Sequence, residues 1–149
     1  MAHILYVDDE PAVGLILQDT LEHLGHSAIG ASNVPEALAA LARGGIDLII
    51  SDYKMPGLSG LEFLELLREQ GRDIPLIMLT GFATIEHAVV AIKAGAADYI
   101  TKPMQPEQLA HAVATALELT RLKRENDALR LEVMHIRAER QILAKSAAM

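Results

Sequence analysis

Five short apolar runs, each followed by a stretch of helical periodicity, constrain this chain more than any other feature. The runs are Ile4–Val7, Ser27–Gly30, Leu48–Ile50, Leu76–Leu79 and Tyr99–Ile100. Helices are predicted over Pro11–Leu24, Val34–Leu41, Leu61–Arg68 and Thr84–Ala94, and onward from Pro106. Their boundaries carry start and stop chemistry. Pro11 already has the φ of a first helical turn, Asn33 suits an N-cap, and Gly25, Gly44, Gly71 and Gly95 stand where helices should end. Strands that alternate with helices need crossover connections and therefore pair in parallel. Helices then cover both faces of the sheet. The expected fold is α/β: a doubly wound, five-stranded parallel sheet in the flavodoxin-like order 2-1-3-4-5.

The totals agree with one such domain and an appendage. The chain has 149 residues, and aromatics are 3% of it, so the core must be aliphatic. Without cysteine there are no disulfides and no thiolate metal sites. The N-terminal residues run straight from an apolar strand into acids, unlike a secretion signal, and no apolar run reaches membrane-spanning length. A cytoplasmic location, away from any membrane, is expected. The net charge of −7 is unevenly spread. Residues 1–118 hold 16 acids and 6 bases, whereas residues 119–149 hold 4 acids and 7 bases. The acidic part is a poor surface for nucleic acid.

In a doubly wound sheet the chemistry sits outside the carboxyl ends of the strands. Asp8, Asp9 and Glu10 follow strand one, and Asp52 follows strand three after Ser51. Thr80 and Gly81 follow strand four, and Lys102 follows strand five. Adjacent strands lie about 5 Å apart, and the order 2-1-3-4-5 makes strands one and three neighbours. Asp8, Asp9 and Asp52 should therefore meet. Carboxylates so close repel, which calls for a proton or a cation. Oxygen ligands favour a hard ion such as Mg²⁺, which uses one or two carboxylates, waters and phosphate oxygens. With the Lys102 ammonium, such a site suits an incoming phosphoryl group, attacked by an aspartate. Thr80 can hydrogen-bond that group. The six histidines show no metal-ligand pattern and are all expected at the surface.

Val7-Asp8-Asp9-Glu10-Pro11, Ser51-Asp52-Tyr53-Lys54-Met55-Pro56-Gly57, Leu79-Thr80-Gly81 and Thr101-Lys102-Pro103 together resemble the receiver domain of two-component response regulators. The resemblance spans roughly residues 3–118. It implies that Asp52 is phosphorylated by a sensor histidine kinase. It implies that Asp9 ligates Mg²⁺ directly and Asp8 mostly through water, with Asp52 and the Lys54 backbone carbonyl completing the protein ligands. Thr80 would swing towards the phosphoryl group and Lys102 would pair with it. Tyr99 matches the family's aromatic switch position, the alternative being a half-buried strand tyrosine without a switching role. The Lys102–Pro103 bond is expected to be cis. A regulatory domain rather than an enzyme is implied. The competing reading, a phosphatase with an acid nucleophile, usually keeps nucleophile and general acid on one loop, whereas Asp52 stands alone after strand three. A degenerate, purely structural receiver fits poorly with the intact Asp8–Asp9 pair, Thr80 and Lys102.

Beyond residue 118 a heptad repeat is legible to residue 143. Positions a read Leu119, Asn126, Val133 and Arg140, and positions d read Leu122, Leu129, Ile136 and Leu143. One Asn at a fixes register in a parallel two-stranded coil. Glu118, Glu125 and Glu132 at g face Lys123, Arg130 and Arg137 at e of a partner copy. A parallel homodimer through this linker helix, 119–143, is expected. The alternative is an amphipathic helix folded back on its own domain. The positive balance of the tail belongs to this pattern, so direct nucleic-acid contact is not expected. A receiver followed by such a coil resembles the front of NtrC-type sigma-54 activators of transcription, in which an AAA+ ATPase follows. Residues 144–149 are similar to the segment that opens that ATPase, although Ala144 stands where Gly is common and Ala147 where Pro is common. No Walker A sequence and no helix-turn-helix is present, so a downstream AAA+ module is expected in a longer protein.

Overall fold

The computed structural model describes residues 2–81, 85–102, 104–123 and 125. The elements are β1 (His3–Val7), α1 (Pro11–His23), β2 (Ser27–Ala31), α2 (Val34–Ala42), β3 (Leu48–Asp52), α3 (Gly60–Glu69), β4 (Leu76–Thr80), α4 (Ile85–Lys93) and β5 (Asp98–Thr101). Residues 106–117 form a further helix, α5. The strands pair in parallel in the order β2-β1-β3-β4-β5, as expected.

Side chains alternate across a strand, and here the two sets build two cores. Leu5, Val7, Ile49, Leu76 and Met78 face one layer, with Val34, Ala37 and Leu41 of α2, Phe63, Leu64 and Leu67 of α3, and Ala91 of α4. Ile4, Leu48, Ile50, Ile77, Leu79 and Ile100 face the other, with Leu17 and Leu21 of α1 and Leu109, Ala112, Val113 and Ala116 of α5. All five residues of β3 and all five of β4 are buried. Each large aliphatic side chain buried this way contributes about 1.5–3 kcal/mol, so the central strands are the most firmly held.

Helix ends follow local chemistry. The Asn33 side chain accepts the Glu36 N–H at 2.9 Å and caps α2. Ser59 and Glu62 form a reciprocal capping box that opens α3 at Gly60, one residue before the predicted start. The main departure from the predicted strands is at their carboxyl ends. β3 continues through Ser51 and Asp52, because Ser51 pairs with Met78 and Asp52 with Leu79. β4 likewise takes in Thr80, which pairs with Thr101. The polar residues end the apolar pattern before they end the ladder.

The chain divides into two units, 1–117 and 118–149. In the second, residues 118–123 and 125 are helical, and Arg121 pairs with Glu118 and Glu125 on the exposed surface. The heptads predicted from Asn126 onward, residues 144–149 and Pro103 lie outside the described residues. Among the described residues no helix is long and apolar enough to cross a membrane.

Candidate functional site

The β1–α1 turn sets the first carboxylates. The Asp8 N–H extends the ladder to the Ala31 carbonyl at 3.0 Å. Its side chain turns back to accept the Glu10 N–H at 2.8 Å, the local bond that Asp favours in turns. This fixes the Asp8 carboxylate in a buried position, while Asp9 and Glu10 remain exposed. Glu10 is the N-cap residue of α1, yet its side chain makes no capping bond.

Asp52 is carried by β3 between β1 and β4 and is only 4% exposed. The backbone beyond it is tied down. The Tyr53 N–H donates to the Leu79 carbonyl at 2.7 Å, and the Gly60 N–H donates to the Tyr53 carbonyl at 2.9 Å. Gly60 is required by close approach. A Cβ there would lie 2.2 Å from the Asp52 carbonyl oxygen and 2.8 Å from Met78 Sδ. Any side chain at 60 would displace the backbone of Asp52.

Lys102 arrives from β5, its N–H donating to the Thr80 carbonyl at 2.7 Å. Its Nζ lies 3.0 Å from Asp8 Oδ2, 3.2 Å from Asp52 Oδ2 and 3.9 Å from Glu10 Oε1. One ammonium thus bridges the two buried carboxylates. Thr80 is buried at the end of β4. Tyr99 is half-buried, pairs with Met78 and packs on the α2–α3–α4 side of the sheet. The Lys54 side chain is exposed, and its backbone N–H bonds the Asp52 carboxylate.

The electrostatics follow from this crowding. Burial, then the neighbouring Asp8 charge, pushes the Asp52 carboxyl above its ordinary value, and Lys102 and the Lys54 N–H only partly oppose them. Burial works to lower the Lys102 ammonium, but the hydrogen bond to Asp8 and the charges of Asp52 and Asp8 outweigh it and leave it raised. The site therefore holds a firmly charged cation beside a carboxylate that burial disfavours in its charged form.

One carboxylate oxygen from each of Asp8, Asp9, Glu10 and Asp52 lies within 4.8 Å of the others. These are hard oxygen donors. Two ligands of one Mg²⁺ sit at most about 4.2 Å apart, given bonds of about 2.1 Å. The donor set fits a divalent cation after small adjustments, and one lysine leaves negative charge uncompensated. Asp8, Asp9, Asp52 and Lys102, each read from the sequence, are brought together. Glu10, named with Asp8 and Asp9 at the end of strand one but not among the expected metal ligands, joins them as the fourth carboxylate. Gly60 was also not foreseen. The expectation that every histidine sits at the surface is corrected for two of them. His26 is half-buried and accepts the Ala2 N–H at 3.1 Å, and half-buried His87 stacks on Tyr53. Isolated histidines carry no periodic signal, so only tertiary structure places them.

A parallel sheet in this order, with acids after β1 and at the end of β3 and a lysine after β5, is the arrangement of a response regulator receiver domain. Residues 4–114 match that family, and the chain belongs to it. The nitrogen assimilation regulatory protein NtrX of Azorhizobium caulinodans is 41% identical over 128 residues, covering 84% of this chain and 28% of that protein. YkoG of Bacillus subtilis, described as an uncharacterised transcriptional regulatory protein, is 40% identical over 124 residues, covering 83% of this chain and 54% of that protein. Among solved structures, NtrX from Brucella abortus aligns with a TM-score of 0.82 at 37% identity, over 87% of this chain and 30% of that one. A receiver domain protein from Clostridium thermocellum aligns at 0.77 and 32% identity, over 82% of this chain and 98% of that one. This chain spans about half or less of the curated relatives it matches.

Proposed function

We propose that Asp52 is the phosphoacceptor of this receiver and that a sensor histidine kinase supplies the phosphoryl group. The observation that carries this reading is the Lys102 ammonium, 3.0 Å from Asp8 and 3.2 Å from Asp52 within one buried acid cluster. An Asp52 oxygen attacks phosphorus, the O–P bond forms, and the N–P bond to the donor imidazole breaks, the imidazole leaving with a proton. Lys102 stands where it can neutralise the oxygens of the group being transferred, an arrangement already organised before reaction. Asp8, Asp9, Asp52 and the Lys54 backbone carbonyl would hold Mg²⁺, which when bound neutralises phosphoryl oxygens. The Asp8 side chain is oriented for this by the Glu10 N–H.

Phosphorylation adds close to two negative charges and three acceptor oxygens. Thr80 and Tyr99 serve as the switch residues: the Thr80 hydroxyl bonds the new oxygens, and Tyr99 follows on the α4 side of β5. Residues 1–118 form the receiver and 119–143 a dimerising linker helix that makes a parallel homodimer. Residues 144–149 open a downstream AAA+ module in a longer, cytoplasmic protein. Support for an NtrC-type setting comes from relatives named NtrX, DctD and PilR, which are between three and four times the length matched here.

Intact-protein mass after incubation with a small phosphodonor tests this. One phosphoryl group is expected with Mg²⁺, much less without it, and none in Asp52→Asn. Catalytic turnover of assorted phosphate esters would favour a phosphatase and overturn the reading.

A further inference from the structure

Tyr53 follows Asp52 directly, and its backbone is held at both ends by the Leu79 carbonyl and the Gly60 N–H. Its ring is half-buried against the α2–α3–α4 core. There it meets the His87 imidazole, in the first turn of α4, with ring centroids 5.2 Å apart and planes inclined by 31°. Among the described side chains of α4 only Ala91 is buried, while Val89, Val90 and Ile92 are exposed. A methyl group buries little area, so among the described side chains of α4 the contact between two rings is the larger attachment.

We infer that Tyr53 and His87 form a joint that makes the backbone after Asp52 and the first turn of α4 move together. The inference deepens the proposed function and rests on it for its signalling meaning, because a phosphoryl group on Asp52 would load the residue next to Tyr53. Both are positioning residues. Neither belongs to the acid cluster, and each acts through what it stacks on. The joint also runs in reverse, since whatever holds α4 also steadies the acceptor loop; coupling of this kind is reciprocal.

Native-state hydrogen exchange on the full, unphosphorylated chain tests the joint. Good reporters are the Tyr53 and Gly60 amides on one side and the Ala94 amide, bonded to the Val90 carbonyl at 3.0 Å, on the other. In His87→Ala, amides in 53–60 and in 85–94 should exchange about two- to tenfold faster together. His87→Phe, which keeps a ring, should restore both segments, and Tyr53→Phe should leave both unchanged. Faster exchange confined to 85–94 would overturn the inference, and so would failure of His87→Phe to restore 53–60. If α4 unfolds altogether in His87→Ala, the 53–60 reporters decide in the same way. Mass measured on the same wild-type sample after phosphodonor treatment judges the proposed function separately. A chain that takes no phosphate refutes that function, while the exchange comparison still decides the joint.

Discussion

α3 and α4 lie on the same face of the sheet, yet they are held very differently. α3 opens with a capping box and buries Phe63, Leu64 and Leu67 completely, and its Gly60 presses against the carbonyl of Asp52. Among the described side chains of α4, Ala91 is buried and His87 leans on the Tyr53 ring, while Val89, Val90 and Ile92 are exposed. β3, which carries the proposed acceptor Asp52, thus has one rigid wall and, among the described side chains, one lightly attached neighbour. A switch needs both. The rigid side keeps the acceptor in place, and the light side can reorganise for a small change in free energy. Elements that move in regulation come from the least stable part of a fold.

The largest expected effect tests the packing half of this contrast. Phe63→Ala should lose about 4 kcal/mol in urea unfolding, whereas Val90→Ala on α4 should change stability by less than about 0.5 kcal/mol. Similar losses would erase the contrast. Charge comes next. Lys102→Met leaves Asp8 and Asp52 facing each other and should cost about 3 kcal/mol at neutral pH. Because the Lys102 value is raised on folding, its contribution is complete below the ordinary lysine value and is lost as pH rises through the folded one. The deficit of Lys102→Met should therefore shrink in strong alkali, and a deficit independent of pH would assign the role of Lys102 to packing.

Two glycines sharpen the comparison of the loops. Gly60→Ala forces a Cβ against the Asp52 carbonyl and should cost about 2 kcal/mol and slow phosphorylation. Gly81→Ala, after β4, meets nothing within 4 Å among the described residues and should stay within about 0.5 kcal/mol. The smallest effect is a gain. Asp52→Asn removes a carboxylate that burial disfavours and should raise Tm by about 4 °C at neutral pH. Since the Asp52 value is raised in the fold, its charged form weakens the fold above that value, and this weakening disappears as protonation sets in. Melting curves in acid should show the gain of Asp52→Asn fading as pH falls through the raised Asp52 value. A gain that grows in acid would contradict the assignment.

The sheet was legible because apolar runs and helical periodicity report burial directly, as Leu48–Ile50 and Leu76–Leu79 show. Asp8, Asp52, Thr80 and Lys102 were legible because topology alone brings strand ends together. Strand lengths were not, since Ser51, Asp52 and Thr80 are polar residues inside the ladder. The capping box was present as Ser59-x-x-Glu62 and offered a signal that periodicity alone passes over. Gly60 against Asp52 and His87 against Tyr53 depend on which helix turn meets which loop, and no spacing encodes that.

The most direct measurement locates the phosphoryl group among four neighbouring carboxylates. Borohydride reduction of the phosphorylated chain converts an aspartyl phosphate to homoserine, and peptide mass spectrometry then reads its position. The account predicts homoserine at position 52 alone, in the buried acid at the carboxyl end of β3. Reduction at Asp8, Asp9 or Glu10, or a phosphoryl group that resists reduction because it sits on another residue type, would contradict it.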